Sequence, residues 1–190
     1  MTLVNKCKEE GNTTDLIVVR DTSGSMGAEA TGTSMSCYNV GKAIALYFSY
    51  FLRGRFQNAW IEFNSKAMMH EWKGETPLEK WFNDHSGYYG STNFESVINL
   101  FTQLKLEGVP EEEFPKGILC ISDCEFDASS LNKTSVERVH DTLTAAGFSK
   151  EYVDNFVICL WNLRNDYYGH NVQNRVPFQT YGAVKNVYYM

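Results

Sequence analysis

Short apolar runs alternate along the chain with longer stretches whose apolar residues recur at helical spacing. Residues 16–19, 117–121 and 156–161 are continuous apolar runs rich in β-branched side chains, which predicts strands covered on both faces. Between them, Val40, Ala43, Ile44, Tyr47, Phe48 and Phe51 fall on one helical stripe, closed by Gly54. Phe94, Val97, Ile98, Phe101 and Leu104 form a second such stripe. Val136, Val139 and Leu143 form a third, within residues 135–146 and stopped by Gly147. Residues 59–63 and 67–72 read as two strands joined by Asn64, Ser65 and Lys66, a hairpin. Residues 77–84 predict a short helix with its proline in the first turn. A polar and aromatic loop over 164–180 precedes a last strand over 183–190, and residues 1–14 are a polar lead-in.

Strands alternating with helices predict an α/β fold of three layers. Its central sheet is mostly parallel, with helices on both faces and right-handed crossovers. The hairpin supplies one antiparallel edge strand. A chain of 190 residues with 43% hydrophobic content supports one sizeable core rather than two. The net charge of −6 argues against nucleic-acid binding through bulk electrostatics. No apolar run approaches the roughly 18 residues of a membrane span. The five cysteines include no CxxC pair, which argues against a disulfide framework or a zinc site and points to an intracellular protein. Cys120 and Cys159 lie inside apolar runs, as small core residues do.

Chemistry gathers where the apolar runs end. Behind the first run come Asp21, Ser23 and Ser25, a carboxylate and two hydroxyls at alternate positions beside Gly24. Such oxygen donors suit a hard divalent cation, although Asp, Ser and Gly also build ordinary turns. Thr92 sits in the glycine-containing stretch Gly87-Tyr-Tyr-Gly-Ser-Thr-Asn-Phe94 that opens the second helical stripe, where it could equally serve as a helix cap. The run over 117–121 ends in Ser122 and Asp123, followed by Cys124-Glu-Phe-Asp127. In an open α/β sheet these strand ends converge on one edge, where ligands bind.

The three segments, in this order, resemble the metal-ion-dependent adhesion site of von Willebrand factor A (vWA) domains, whose fold is Rossmann-like. The resemblance covers residues 15–190 and assigns Asp21, Ser23, Ser25, Thr92 and Asp123 as the metal ligands. Ser91-Thr-Asn-Phe-Glu95, Ser122-Asp-Cys-Glu-Phe-Asp127 and Leu160-Trp-Asn-Leu163 resemble the Ro/TROVE-like branch, which has plant, large-virus and phage relatives. In that branch the vWA domain follows an RNA-holding ring, so the resemblance implies a domain excised from a longer ribonucleoprotein or viral protein.

The resemblance implies a non-enzymatic, divalent-cation-dependent protein-binding module whose metal accepts an Asp or Glu carboxylate from a partner protein. Oxygen donors without a His or Cys cluster select Mg²⁺, with Mn²⁺ or Ca²⁺ as alternatives. The alternative function is a scaffolding domain of a Ro-like or virion-associated protein in which the metal is structural. A metal-assisted hydrolase is the remote alternative, since the motifs contain no Lys or His base and no Walker spacing. Neither nucleic-acid nor membrane binding is expected of this domain. Arg20 departs from the vWA strand pattern and is expected either to salt-bridge Asp123, Glu125 or Asp127 and compete with the metal's charge, or to lie at the strand end, paired with a rim carboxylate or in solvent. Glu125 and Asp127 are expected either to hold waters around the metal or to begin a loop. The Tyr88, Tyr89, Tyr167, Tyr168 and Trp161 group is read as packing or as a binding rim.

Overall fold

The computed structural model describes residues 15–84, 86, 95–123, 133–164 and 187–189, with 133–137 and 187–189 described by their backbone alone. Leu16–Asp21 forms strand β1 at the centre of a six-stranded sheet. Its partners are β2 (Ala59–Phe63) and β4 (Gly117–Ser122), both parallel to it. β3 (Met68–Glu71) closes the hairpin on β2 as the antiparallel edge strand. β5 (Val157–Asn162) and β6 (Val187–Tyr189) extend the parallel side, giving the order β3-β2-β1-β4-β5-β6. The sheet is thus α/β and mostly parallel with one antiparallel pair, as the alternation of apolar patterns predicts.

The central strands are mostly apolar because both their faces are covered, with Arg20 and Asp21 of β1 and Glu62 of β2 as buried exceptions. Ile17 and Val19 of β1 pack with Phe101, Leu143 and Val153 in one core cluster. Those three come from α3 (Glu95–Leu106), α4 (Lys133–Ala145) and α5 (Lys150–Asn155), respectively. Val18, between them in sequence, points the other way into a cluster with Tyr38, Ala45 and Leu46 of α1 (Cys37–Ser49). The period of two along a strand produces this division. Cys120 and Cys159 are buried, as the apolar runs around them imply.

The helix starts follow capping chemistry. Ser36 accepts from the Asn39 backbone N–H at the start of α1. At α2 (Pro77–Asn83), Thr76 and Glu79 form a reciprocal capping box around the proline-led first turn. α3 buries Val97, Ile98, Phe101 and Leu104, as its stripe predicts. α1 does not bury the face its large apolar residues mark. Its buried positions are Cys37, Tyr38, Gly41, Lys42, Ala45, Leu46 and Ser49. Gly41 and Ala45 let the helix approach the sheet closely: a Cβ on Gly41 would lie 3.3 Å from Arg20 Cγ. Val40, Ile44 and Phe48 pack from the side, half-buried, and Tyr47 is exposed.

Gly117 sits where β4 runs close against β5. A Cβ there would sit 2.2 Å from the Val157 carbonyl oxygen. Gly117→Ala is therefore expected to destabilise the protein by about 1–3 kcal/mol through forced separation of β4 from β5. Urea unfolding checks this, and a midpoint equal to the wild type would contradict it.

Candidate metal centre

β1→β2 progresses to one side of the sheet, whereas β4 lies on the other side of β1. The strand order reverses between β1 and β4, and the carboxyl ends of these two strands carry Asp21 and Asp123. A reversal of this kind opens a crevice in which open α/β sheets bind ligands.

The backbone fixes both ends. Thr22 N–H donates to the Phe63 carbonyl at 3.1 Å, tying the β1 exit to β2. Asp21 Oδ1 accepts from the Ser23 backbone N–H at 2.8 Å, an Asx-type turn. The 3-10 turn Gly24–Gly27 follows, held down by the fully buried Met26. It brings the Ser23 and Ser25 hydroxyl oxygens within 3.1 Å of each other. From β4, Ser122 Oγ donates to Asp21 Oδ2 at 2.6 Å, a direct link between the two strand ends. Asp123, next in sequence, is buried.

Burial is the largest influence on the Asp21 carboxyl and pushes it above its ordinary value. Hydrogen bonds from Ser122 and Ser23 oppose that push, and the charge of Asp123 adds to it. Two buried carboxylates, with serine hydroxyls at the same strand ends, form a set of hard oxygen donors. That chemistry fits Mg²⁺, Mn²⁺ or Ca²⁺. Among the described residues no group of three or more His, Cys, Asp or Glu converges. The donors that do converge are Asp21, Ser23, Ser25 and Asp123. Thr92, Glu125 and Asp127 lie outside the described residues, as do Tyr88, Tyr89, Tyr167 and Tyr168. Trp161 packs, half-buried, against the α1-side core.

Two residues outside the candidate ligand set shape this centre. Ser122 holds the Asp21 carboxylate in place. Ser122→Ala is expected to weaken divalent-cation affinity about 10–100-fold, as loss of a partner behind a ligand does. Calorimetry compares the two proteins, and unchanged affinity would contradict the role. The second residue is Arg164, whose Nη1 lies 3.6 Å from Asp123 Oδ2.

Arg20 takes a different place from the one its position at the strand end suggests. It is fully buried and turns to the α1 side of the sheet. Its Nη2 donates to Asp84 Oδ2 at 2.9 Å and also to the Ser86 hydroxyl. Its guanidinium carbon stands 3.8 Å from the Trp60 ring centroid and 4.9 Å from that of Tyr38. Lys42 Nζ approaches the same Asp84 carboxylate at 3.4 Å. Burial would raise the Asp84 carboxyl, but the Arg20 charge and hydrogen bonds from Ser86 and Arg20 outweigh it and hold it below its ordinary value. Next to this pair, Thr22 Oγ1 donates to the buried Glu62 at 3.0 Å, and His70 Nε2 lies 2.8 Å from the other Glu62 oxygen.

The sequence model of a family described as a domain of unknown function, DUF7788, matches residues 15–182. The chain belongs to this DUF7788 family. The matched span takes in every candidate ligand from Asp21 to Asp123, and Arg164 as well. No curated protein matches the chain. A similar solved structure is the crystal structure of the conserved hypothetical protein BatB from Bacteroides thetaiotaomicron. It shares 16% identity at a TM-score of 0.54, over 92% of this chain and 89% of that one. At that identity the likeness concerns the fold alone. No helix among the described residues is long and apolar enough to cross a membrane.

Proposed function

We propose that the chain is a divalent-cation-dependent protein-binding module of the vWA type, with Mg²⁺ held by Asp21, Ser23, Ser25 and Asp123 and by Thr92 from the following segment. The reading rests on the Asp21–Ser122–Asp123 arrangement, in which neighbouring strand ends at the switch point of the sheet present two buried carboxylates and the Ser122 hydroxyl, beside Asp123 in sequence, donates to Asp21 at 2.6 Å. The resemblance of the three motifs to a metal-ion-dependent adhesion site supports the same assignment.

A cation bound there supplies an open coordination position for an anionic oxygen. The chain's own part is to orient the donors. The Asx turn fixes one oxygen of Asp21 and Ser122 the other, while buried Met26 anchors the turn bearing the two serines. Few directly bound carboxylates leave the cation electrophilic, so it favours a partner's Asp or Glu side chain.

The test is an array of peptides bearing a central Asp or Glu, incubated with the Mg²⁺-loaded protein. The proposal expects binding that disappears with chelator, returns with Mg²⁺ or Mn²⁺, and fails when the acidic residue is replaced by Asn or Gln. Binding indifferent to chelator contradicts it. A metal-loaded protein that captures no acidic peptide favours the scaffold role, with the metal structural.

A further inference from the structure

Arg164 lies directly beyond β5 and is positioned by three backbone-level contacts. Leu163 N–H donates to the Ser122 carbonyl at 2.9 Å, so the exit of β5 is laid along the exit of β4. Thr31 N–H donates to the Leu163 carbonyl at 2.9 Å, which ties the same exit to the segment that follows the Gly24–Gly27 turn. The Arg164 N–H then donates to Asn162 Oδ1 at 2.8 Å, turning the chain at the edge of the site. From there the guanidinium reaches Asp123, whose carboxylate is fully buried while the Arg164 side chain retains 24% exposure.

We propose that Arg164 is a built-in competitor for the metal: its guanidinium neutralises Asp123 in the metal-free protein and must withdraw when a divalent cation binds. This inference rests on the metal-centre reading above and adds regulation of that site. Asp123 cannot present its oxygen to a cation at full strength while a guanidinium stands 3.6 Å from it. Two cations so close, sharing one carboxylate, repel each other with little screening in a buried site. The geometry also allows withdrawal. The separation exceeds hydrogen-bond distance, and the Arg164 side chain is partly exposed, as a long cation that reaches water is. A guanidinium keeps its charge at every physiological pH, so the competition is set by metal concentration rather than by acidity.

The alternative role for the same contact is positioning, in which Arg164 holds Asp123 in the orientation that the metal needs. The two roles predict opposite signs. Calorimetric titration of Mg²⁺ and Mn²⁺ into chelator-stripped wild type, Arg164→Gln and Arg164→Lys separates them. Competition expects Arg164→Gln to bind the metal about 3–10-fold more tightly, the size of a partly exposed ion pair, with Arg164→Lys close to wild type because the charge remains. The thermal midpoint supplies a second readout. Arg164→Gln should lower the midpoint of the metal-free protein and recover the difference when Mg²⁺ is added. Weaker or equal metal binding by Arg164→Gln overturns the inference while leaving the metal centre standing. Silence in all three folded proteins overturns the metal centre, and the competition with it.

Discussion

Arg20→Ala is expected to destabilise the protein by about 3–5 kcal/mol, the cost of leaving a buried charge without its partner. Arg20 is fully buried, and Asp84, at the end of α2, receives both its Nη2 hydrogen bond and the longer approach of Lys42. Removing the guanidinium strips Asp84 of its strongest compensation and opens a void between Trp60 and Tyr38, so the electrostatic and cavity costs act together. The arrangement is not a device for maximum stability, since apolar residues of similar volume often match a buried ion pair. Arg20→Met, which fills part of the void without the charge, separates the two contributions. A double-variant cycle with Asp84→Asn should show a coupling of about 0.5–3 kcal/mol between the two positions.

Acid should expose the same pair. The Asp84 carboxyl is held below its ordinary value of 3.8. Its stabilising share is therefore present above that value and is lost as the pH falls through the lower folded value. In Arg20→Ala this acid-side loss should shrink. A destabilisation under about 1 kcal/mol for Arg20→Ala would show that the pair does not hold α2 to the sheet.

The second large effect belongs to Asp21→Asn, which separates function from stability. The amide keeps the shape: its oxygen accepts from the Ser23 N–H, and its nitrogen can donate to Ser122 Oγ. What disappears is a buried charge beside Asp123. Because burial raises the folded Asp21 carboxyl above 3.8, the metal-free protein holds that proton more tightly than the unfolded chain does. The ionised group thus costs stability at neutral pH, and the cost fades as the pH falls through the folded value towards 3.8. Asp21→Asn should accordingly be as stable as the metal-free wild type or more so, while losing at least about 100-fold in divalent-cation affinity. A variant that is strongly destabilised would mean that the carboxylate is structural.

The parts of the fold legible in sequence are those in which one local signal suffices. β1, β4 and β5 show as continuous apolar runs because both their faces are buried, and the β2–β3 hairpin shows through its turn residues. Asp21, Ser23, Ser25 and Asp123 stand out because oxygen donors follow directly on apolar strands. The buried face of α1 was hidden because small Gly41 and Ala45 make its closest contacts, while the large apolar residues flank them. The burial of Arg20 was hidden because its partners Asp84 and Ser86 lie 64 and 66 residues away in sequence. Ser122 and Arg164 join the site only once the parallel register sets β4 between β1 and β5. The short α5 carries one buried apolar residue, Val153, too few to mark a helical stripe.

The central claim is that the carboxyl ends of β1 and β4 form a divalent-cation site. Calorimetric titration of chelator-stripped wild type and Asp21→Asn with Mg²⁺ and Mn²⁺ tests it most directly, with thermal unfolding confirming that both are folded. The account predicts saturable binding by the wild type that is absent from Asp21→Asn. A folded wild type that takes up neither ion, or an Asp21→Asn protein that binds as tightly as the wild type, would contradict it.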